Sequence, residues 1–469
     1  MMNFLSDSVD GNKNYPASDF IANLGKRGFV ISNIITESLN LTLRNYLTSL
    51  IPSIPASNNR HLNYFTQSLE KYLSIRGHKK INDICNDLLN FPVIQQADHS
   101  NLLIDEETFL NNFLFYLACS EAGIHSMITS QCSIVSCISR RSPFFGPVFV
   151  RTQQKSYKTF SFSNRLLKNS NFCSLPGPVK LSAELVTVLR RAFKYNSDFD
   201  SCFERNYDSA PEAYRSFNDY IWKSLFKNEI TKRVAIDEDL TSDLMAIHIS
   251  NIDSPIHTLL FDYHMRDLFI KTKNEFILSK RNLVINKSSP DFFWYRKGTR
   301  LYPVILHGCG KKAKFVLEHD HSELPVLYNA KDIAKALREN VLYVDRFIGY
   351  LIRCLLPGIV AVGGTSQQDS IKHYQEIILT CHEIESFLDS HDLQCLSRND
   401  LSKLGGAPLL ALNQEEKLTI SNLNKNTDLR EFSNAFLSKL FCQTIGDFSC
   451  ANYLLNKFTL KKENYDNRH

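Results

Sequence analysis

Two short stretches concentrate the side chains able to do chemistry. In the first, Gln95, Gln96, Asp98, His99 and Ser100 follow an apolar run and lead into a helix-like segment that carries Asn111 and Asn112. A carboxylate beside an imidazole on such a loop can orient the ring as a general base near neutral pH. The carboxamides add donors and acceptors for a polar substrate, although two adjacent amides in an apolar helix can equally be satisfied within the core. In the second stretch, Gly363, Gly364, Thr365, Ser366 and Gln367 join an apolar strand-like run to a helix. Glycine permits close backbone approach, Thr or Ser caps a helix, and free amides at a helix start suit a carboxylate or phosphate. Two glycines form neither the dinucleotide fingerprint nor a P-loop. A tight turn without a ligand accounts for them too.

Weaker constellations surround these two. Gln131 and Cys132 follow a strand-like run and would line the same pocket from the next strand end, but a nucleophilic thiol needs a nearby His or Arg to lower its pKa. Read blandly, Cys132 is a small core residue. Arg140 and Arg141 suit bidentate binding of a carboxylate or phosphate, or form a solvated pair. Glu318, His319, Asp320 and His321 resemble a metal cluster, yet His-x-His needs a third ligand from elsewhere, so no metal is assigned.

The elements that would position these residues follow from periodicity. Residues 91–96 read as a strand, 97–107 as a polar loop, 108–122 as a helix and 125–129 as a second strand, which is β-α-β order. Before them, residues 35–51 and 62–75 are amphipathic helices. From 181 to about 287 long helical periodicity predicts a helical insertion, its aromatic residues forming a core stripe rather than a base-stacking surface. Two short runs about Lys297 and Gly298 predict a hairpin, residues 330–338 a helix, and the end of the chain further helices. The expected units are 1–180, with N-terminal helices and half of a parallel core; 181–287, the insertion; 288–400, the rest of the core with the Gly-Gly loop; and 401–469, a helical segment.

Composition narrows the classes of function. At 469 residues the chain exceeds one ordinary core, and 43% hydrophobic with 22% charged residues is globular composition. The net charge is only +5 and the basic residues are dispersed, so no nucleic-acid partner is expected. No apolar run is long enough to span a bilayer and no signal peptide is evident, so the expected location is cytoplasmic with no membrane partner. The 12 cysteines lack any C-x-x-C pair and read as reduced core residues.

Three collinear pieces carry a family resemblance: Gln95 to Ala122, Asp291 to Val304, and Asp345 to Gly364. Together they cover about a third of the chain and resemble bacillithiol synthase, a cysteine-adding ligase family. Leu355, Leu356, Pro357, Val362, Gly363 and Gly364 match the family's Leu-Leu-Pro, strand and Gly-Gly pattern, and Arg346 stands near the place of its Arg-Pro. The resemblance implies an α/β fold with a Rossmann-like parallel-sheet core interrupted by the long helical insertion. It further implies a biosynthetic enzyme joining an amine or thiol nucleophile, such as cysteine, to a small polar acceptor. In that reading Asp98 and His99 manage the proton, Gln95, Gln96, Ser100 and Asn112 position substrate, and the Gly363 loop holds a carboxylate or phosphate. ATP is compatible as activator, without any Walker or kinase signature, and a homodimer is a compatible assembly. The chain replaces the family's glycine-rich loop with Asp98, His99, Ser100 and Asn101, and its acidic and histidine cluster with Ser130, Gln131, Cys132 and Ser133. These replacements support an alternative, a non-catalytic relative that binds a nucleotide or metabolite as a partner in a biosynthetic assembly.

Overall fold

The computed structural model describes residues 31–53, 59–98, 101–103, 106–131, 149–151, 156–163, 165–166, 170–175, 177–192, 197–226, 230–279, 290–308, 310–364, 367–398 and 400–404, with positions 26, 434 and 437–440. In chain order the elements used below are α1 (Arg60–Ile75), β1 (Val93–Asp98), α2 (Glu106–Glu121), β2 (Ser126–Gln131), β3 (Phe149–Arg151), β4 (Ser156–Lys158), α3 (Ala210–Leu225) and β5 (Lys232–Ile236). They continue with α4 (Glu238–Ser250), α5 (Tyr263–Ser279), β6 (Phe293–Lys297), β7 (Arg300–His307), β8 (Lys314–Leu317), α6 (Ala330–Arg338) and β9 (Leu342–Val344). Last come α7 (Arg346–Tyr350), β10 (Val360–Gly363), α8 (Gln367–Ile384), α9 (Ser390–Leu396) and β11 (Ser402–Leu404).

Five parallel strands form the central sheet in the order β11-β10-β1-β2-β5. The chain therefore starts in the middle at β1, winds outward through β2 to β5, and returns to β1's other side with β10 and β11. This is the doubly wound order of Rossmann-like folds, in which ligands as a rule bind outside the carboxyl ends of the two strands where the winding reverses, here β1 and β10. A parallel sheet is covered on both faces, which is why all four residues of β10 are buried.

The helices form for local reasons and pack by their apolar stripes. In α6, Asn329 caps the first turn by accepting from the Asp332 N–H at 2.9 Å, and Ile333, Ala334, Ala336 and Leu337 make one buried face, packed on α4. Truncating Leu337 to Ala would cost about 2–5 kcal/mol.

The stretch 181–287 is not helical throughout. Residues Lys232–Ile236 form β5, a strand of the parallel sheet, so the helices around it are crossover connections on either side of a core strand. Only Val234, Ala235 and Ile236 are apolar there, and so short a run between long helical periodicities carries little signal. Likewise Ser402–Leu404, expected to be helical, adds the edge strand β11 beside β10. The amphipathic stretch 35–51 divides into helices Ile31–Ser38 and Leu43–Thr48.

A second, antiparallel sheet has the order β8-β7-β6-β9. Its β6–β7 hairpin turns at Gly298, whose φ of 62° is the left-handed conformation that favours glycine.

Candidate functional site

The strands that meet at the reversal are apolar where they enter the sheet and polar where they leave it. In β1, Val93 and Ile94 give way to Gln95 and Gln96; in β2, Met127 and Ile128 give way to Thr129, Ser130 and Gln131. All of these side chains are buried. Gln95 is in register with Thr129 on one side and Val362 on the other, and alternation along the strand puts Gln131 on the same face as Thr129. Among the described residues, neither carboxamide atom of Gln95, nor Thr129 Oγ1, nor Gln131 Nε2 has a hydrogen-bond partner. Leaving a buried polar group unsatisfied costs about 1–3 kcal/mol, so a row of them at a strand end calls for partners such as ordered water or a polar ligand.

Gln96, on the opposite face, meets the segment between α7 and β10. There residues Leu351–Leu355 wind as a π turn, with the Leu356 N–H bonded to the Leu351 carbonyl at 2.9 Å. Such widened turns recur at functional sites because they displace a side chain from its helical position. The side chain at the centre of this one is Arg353, which is buried. Its Nη2 donates to Gln96 Oε1 at 3.2 Å and its Nη1 to Thr241 Oγ1 in the first turn of α4 at 2.7 Å. Gln96 Nε2 donates in turn to Cys354 Sγ at 3.4 Å. Burial pushes the Cys354 thiol up to about 12, even though Arg353 and Gln96 favour the thiolate, so this sulfur is a poor nucleophile at neutral pH.

The Gly363 joint is occupied by its own helix. Gln367 folds back so that its Nε2 donates to the Ala361 carbonyl at 2.9 Å while its Oε1 accepts from Tyr350 Oη at 3.1 Å. A Cβ on Gly363 would overlap this carboxamide, so glycine is needed there for Gln367. The Gln367 N–H bonds the Gly364 carbonyl at 3.0 Å and is not free for a ligand.

The remaining expected residues divide. Asn111 is buried with Oδ1 unpartnered, whereas Asn112 is spent inside the fold: its Nδ2 donates to the Thr108 carbonyl and its Oδ1 accepts from Arg233 Nε at 3.2 Å. Asp98 ends β1 in register with Gln131. His99, Ser100, Cys132, Arg140, Thr365 and Ser366, together with the Asp98 side chain, lie outside the described residues. Arg346 is half-buried at the start of α7, and the guanidinium at the sheet's edge is that of Arg353. Arg353, Thr241 and Tyr350 were missed from the sequence. One charge inside the apolar run YLIRCLL was the available signal, since a lone buried charge needs a partner or a purpose. His319 stacks on Tyr302 at 5.0 Å, and among the described residues no group of three side chains could hold a metal ion.

No family model matches the chain, and no curated protein matches it in sequence. Among the described residues no helix is long and apolar enough to cross a membrane.

Proposed function

We propose that the chain is a small-molecule biosynthetic enzyme similar in plan to bacillithiol synthase, working at the carboxyl ends of the adjacent strands β1 and β10. Its reaction joins an amine or thiol nucleophile to a small polar acceptor. The observation that carries this reading is the row of buried, unpartnered polar atoms on Gln95, Thr129 and Gln131 at the carboxyl edge of a doubly wound sheet. A ligand rich in hydroxyl, amine or carboxylate groups would supply what they lack. Asp98 ends β1 in register with Gln131, and in this reading Asp98 and His99 carry the proton.

A second reading, binding without catalysis, draws on Cys354 and Gln367. The thiol at this edge is held protonated by burial, and Gln367 is committed to Tyr350 and Ala361. Mass spectrometry of metabolites that co-purify with the wild type and with His99→Ala separates the two. Catalysis predicts a product on the wild type and unreacted substrate on the variant. The same compound on both supports binding alone, and no compound on either removes the ligand site.

A further inference from the structure

Of the four lysine and arginine side chains buried among the described residues, three have a carboxylate close by: Arg233 meets Asp219 at 3.3 Å, Arg266 meets Asp267 at 3.0 Å and Lys273 meets Asp345 at 3.3 Å. Arg353 has none among the described residues. Its acceptors are two neutral oxygens, those of Gln96 and Thr241, its Nε has no partner, and Tyr350 presents only its ring, 5.8 Å from the guanidinium carbon. Two of the five N–H groups of this guanidinium are therefore used. A buried cation answered only by neutral dipoles is costly, and an incoming anion gains most where no resident carboxylate competes for the charge.

Position agrees with this. Arg353 sits between the polar end of β1 and the first turn of α4, on the sheet face opposite Gln95, Thr129 and Gln131 but at the same carboxyl edge, where ligands bind in doubly wound sheets. The π turn sets it there, and Gly349 lies one helical turn earlier beside the guanidinium, where even a Cβ would make only ordinary contact, 3.6 Å from Nη2.

We infer that Arg353 is the anchor for an oxyanion, a carboxylate or phosphoryl group, on the small molecule bound at this edge. The inference rests on the proposal that the edge is a ligand site, and it adds the chemical class the ligand must carry. Binding here is a charge-assisted contact in a site screened from water. It replaces a missing counter-ion.

The test uses the purified full chain, with inorganic phosphate and sodium acetate as separate probes at ionic strength matched with sodium chloride. Calorimetry and thermal denaturation are read for the wild type, Arg353→Met and Gln96→Glu. The wild type is expected to bind at least one probe saturably, and whichever binds identifies the group as phosphoryl or carboxylate. Arg353→Met is expected to weaken that binding at least tenfold. Gln96→Glu, nearly the same shape, places a carboxylate against the guanidinium and is expected to weaken binding equally while the fold is kept. It answers the question even where Arg353→Met does not fold. Saturable binding by either variant with unchanged affinity overturns the assignment, as does the absence of saturable binding of both probes to the wild type. The co-purification experiment on His99→Ala is independent: loss of catalysis there leaves the anion anchor standing, and loss of the anchor leaves catalysis to be judged on its own.

Discussion

Lys273 and Arg353 are both buried cations, and they are treated in opposite ways. Lys273, on α5, donates to the Pro290 carbonyl at 2.6 Å and the Asp291 carbonyl at 3.0 Å, and its charge is answered by Asp345 at 3.3 Å. Every hydrogen of the ammonium has an acceptor, and the group ties α5 to the start of α7. This is what a structural buried charge looks like: fully bonded, paired, and joining elements distant in sequence. Arg353 keeps its charge at a strand edge with a neutral and incomplete set of partners. The difference separates a cation that the fold uses from one that the fold holds ready.

The comparison breaks most readily at Asp345. Asp345→Asn keeps the cap on α7, since asparagine accepts from the Phe347 N–H as aspartate does at 3.3 Å, but strips Lys273 of its counter-charge. Leaving one member of a buried pair uncompensated costs about 3–5 kcal/mol. In urea denaturation the midpoint should fall with little change in slope. A loss below about 1 kcal/mol would mean that the two carbonyls alone satisfy Lys273, and the contrast with Arg353 would then disappear.

Arg353 should respond far more weakly. Removing a buried cation that has no counter-ion removes its desolvation cost, which offsets the loss of its two neutral hydrogen bonds to Gln96 and Thr241, about 1–3 kcal/mol each, so ligand-free Arg353→Met should unfold at a urea concentration close to that of the wild type. A destabilisation comparable to that of Asp345→Asn would show that Arg353, too, is part of the scaffold.

The two regions were unequally legible in the sequence. The β1-α2-β2 unit follows from its periodicity and polar punctuation, and the hairpin at Gly298 from a turn that only glycine suits well. β5 and β11 were hidden because strands of five and three residues inside helical surroundings acquire their identity from neighbours across the sheet, which no local pattern records. At the site, Gln95, Gln96 and Gln131 were found as amides at the ends of apolar runs. Arg353 was not, because its significance lies in the carboxylate that is missing from its surroundings, a property of three-dimensional contacts. The Gly-Gly joint was legible as a joint, but not that Gln367 covers it.

That joint gives a third, smaller test. In Gly363→Ala the new methyl displaces the Gln367 carboxamide and breaks its contacts with Ala361 and Tyr350, a loss of about 1–3 kcal/mol. Combining it with Gln367→Ala should recover part of the penalty, because the clash partner is gone and neighbouring substitutions couple. Full additivity in that cycle would mean that Gly363 serves something other than Gln367, and the joint would return to the ligand side of the comparison.

Between the two extremes lies a cluster whose bonds are half used, and it sets the smallest expected effect. His61 on α1 and His248 on α4 stack with ring centres 5.2 Å apart. His61 Nε2 is 2.7 Å from Asp392 Oδ1, Arg60 Nη2 donates to Asp392 Oδ2 at 3.0 Å, and His248 Nδ1 is 2.9 Å from Ser254 Oγ, while His61 Nδ1 and His248 Nε2 are unpartnered. Burial, with His61 and Arg60 adding to it, holds the His248 imidazole well below its usual range. Burial works to raise the Asp392 carboxyl, but His61, the Asp389 N–H and Arg60 outweigh it and the net shift is downward. The two groups therefore act in different pH windows. As pH falls below about 6.5 the unfolded chain protonates at residue 248 before the folded one does, so stability is lost there, at most about 1.4 kcal/mol per pH unit for this group. The share owed to Asp392 persists until pH falls below about 3.9, where the unfolded carboxylate begins to take up its proton. His248→Phe keeps the ring stack and removes the titration. Plotted against the wild type from pH 7.5 to 5, its stability should decline less steeply, with the two curves converging as pH falls. Parallel curves would mean that the folded protein protonates His248 as readily as the unfolded chain, and that this cluster carries no reserve of the kind seen at Arg353.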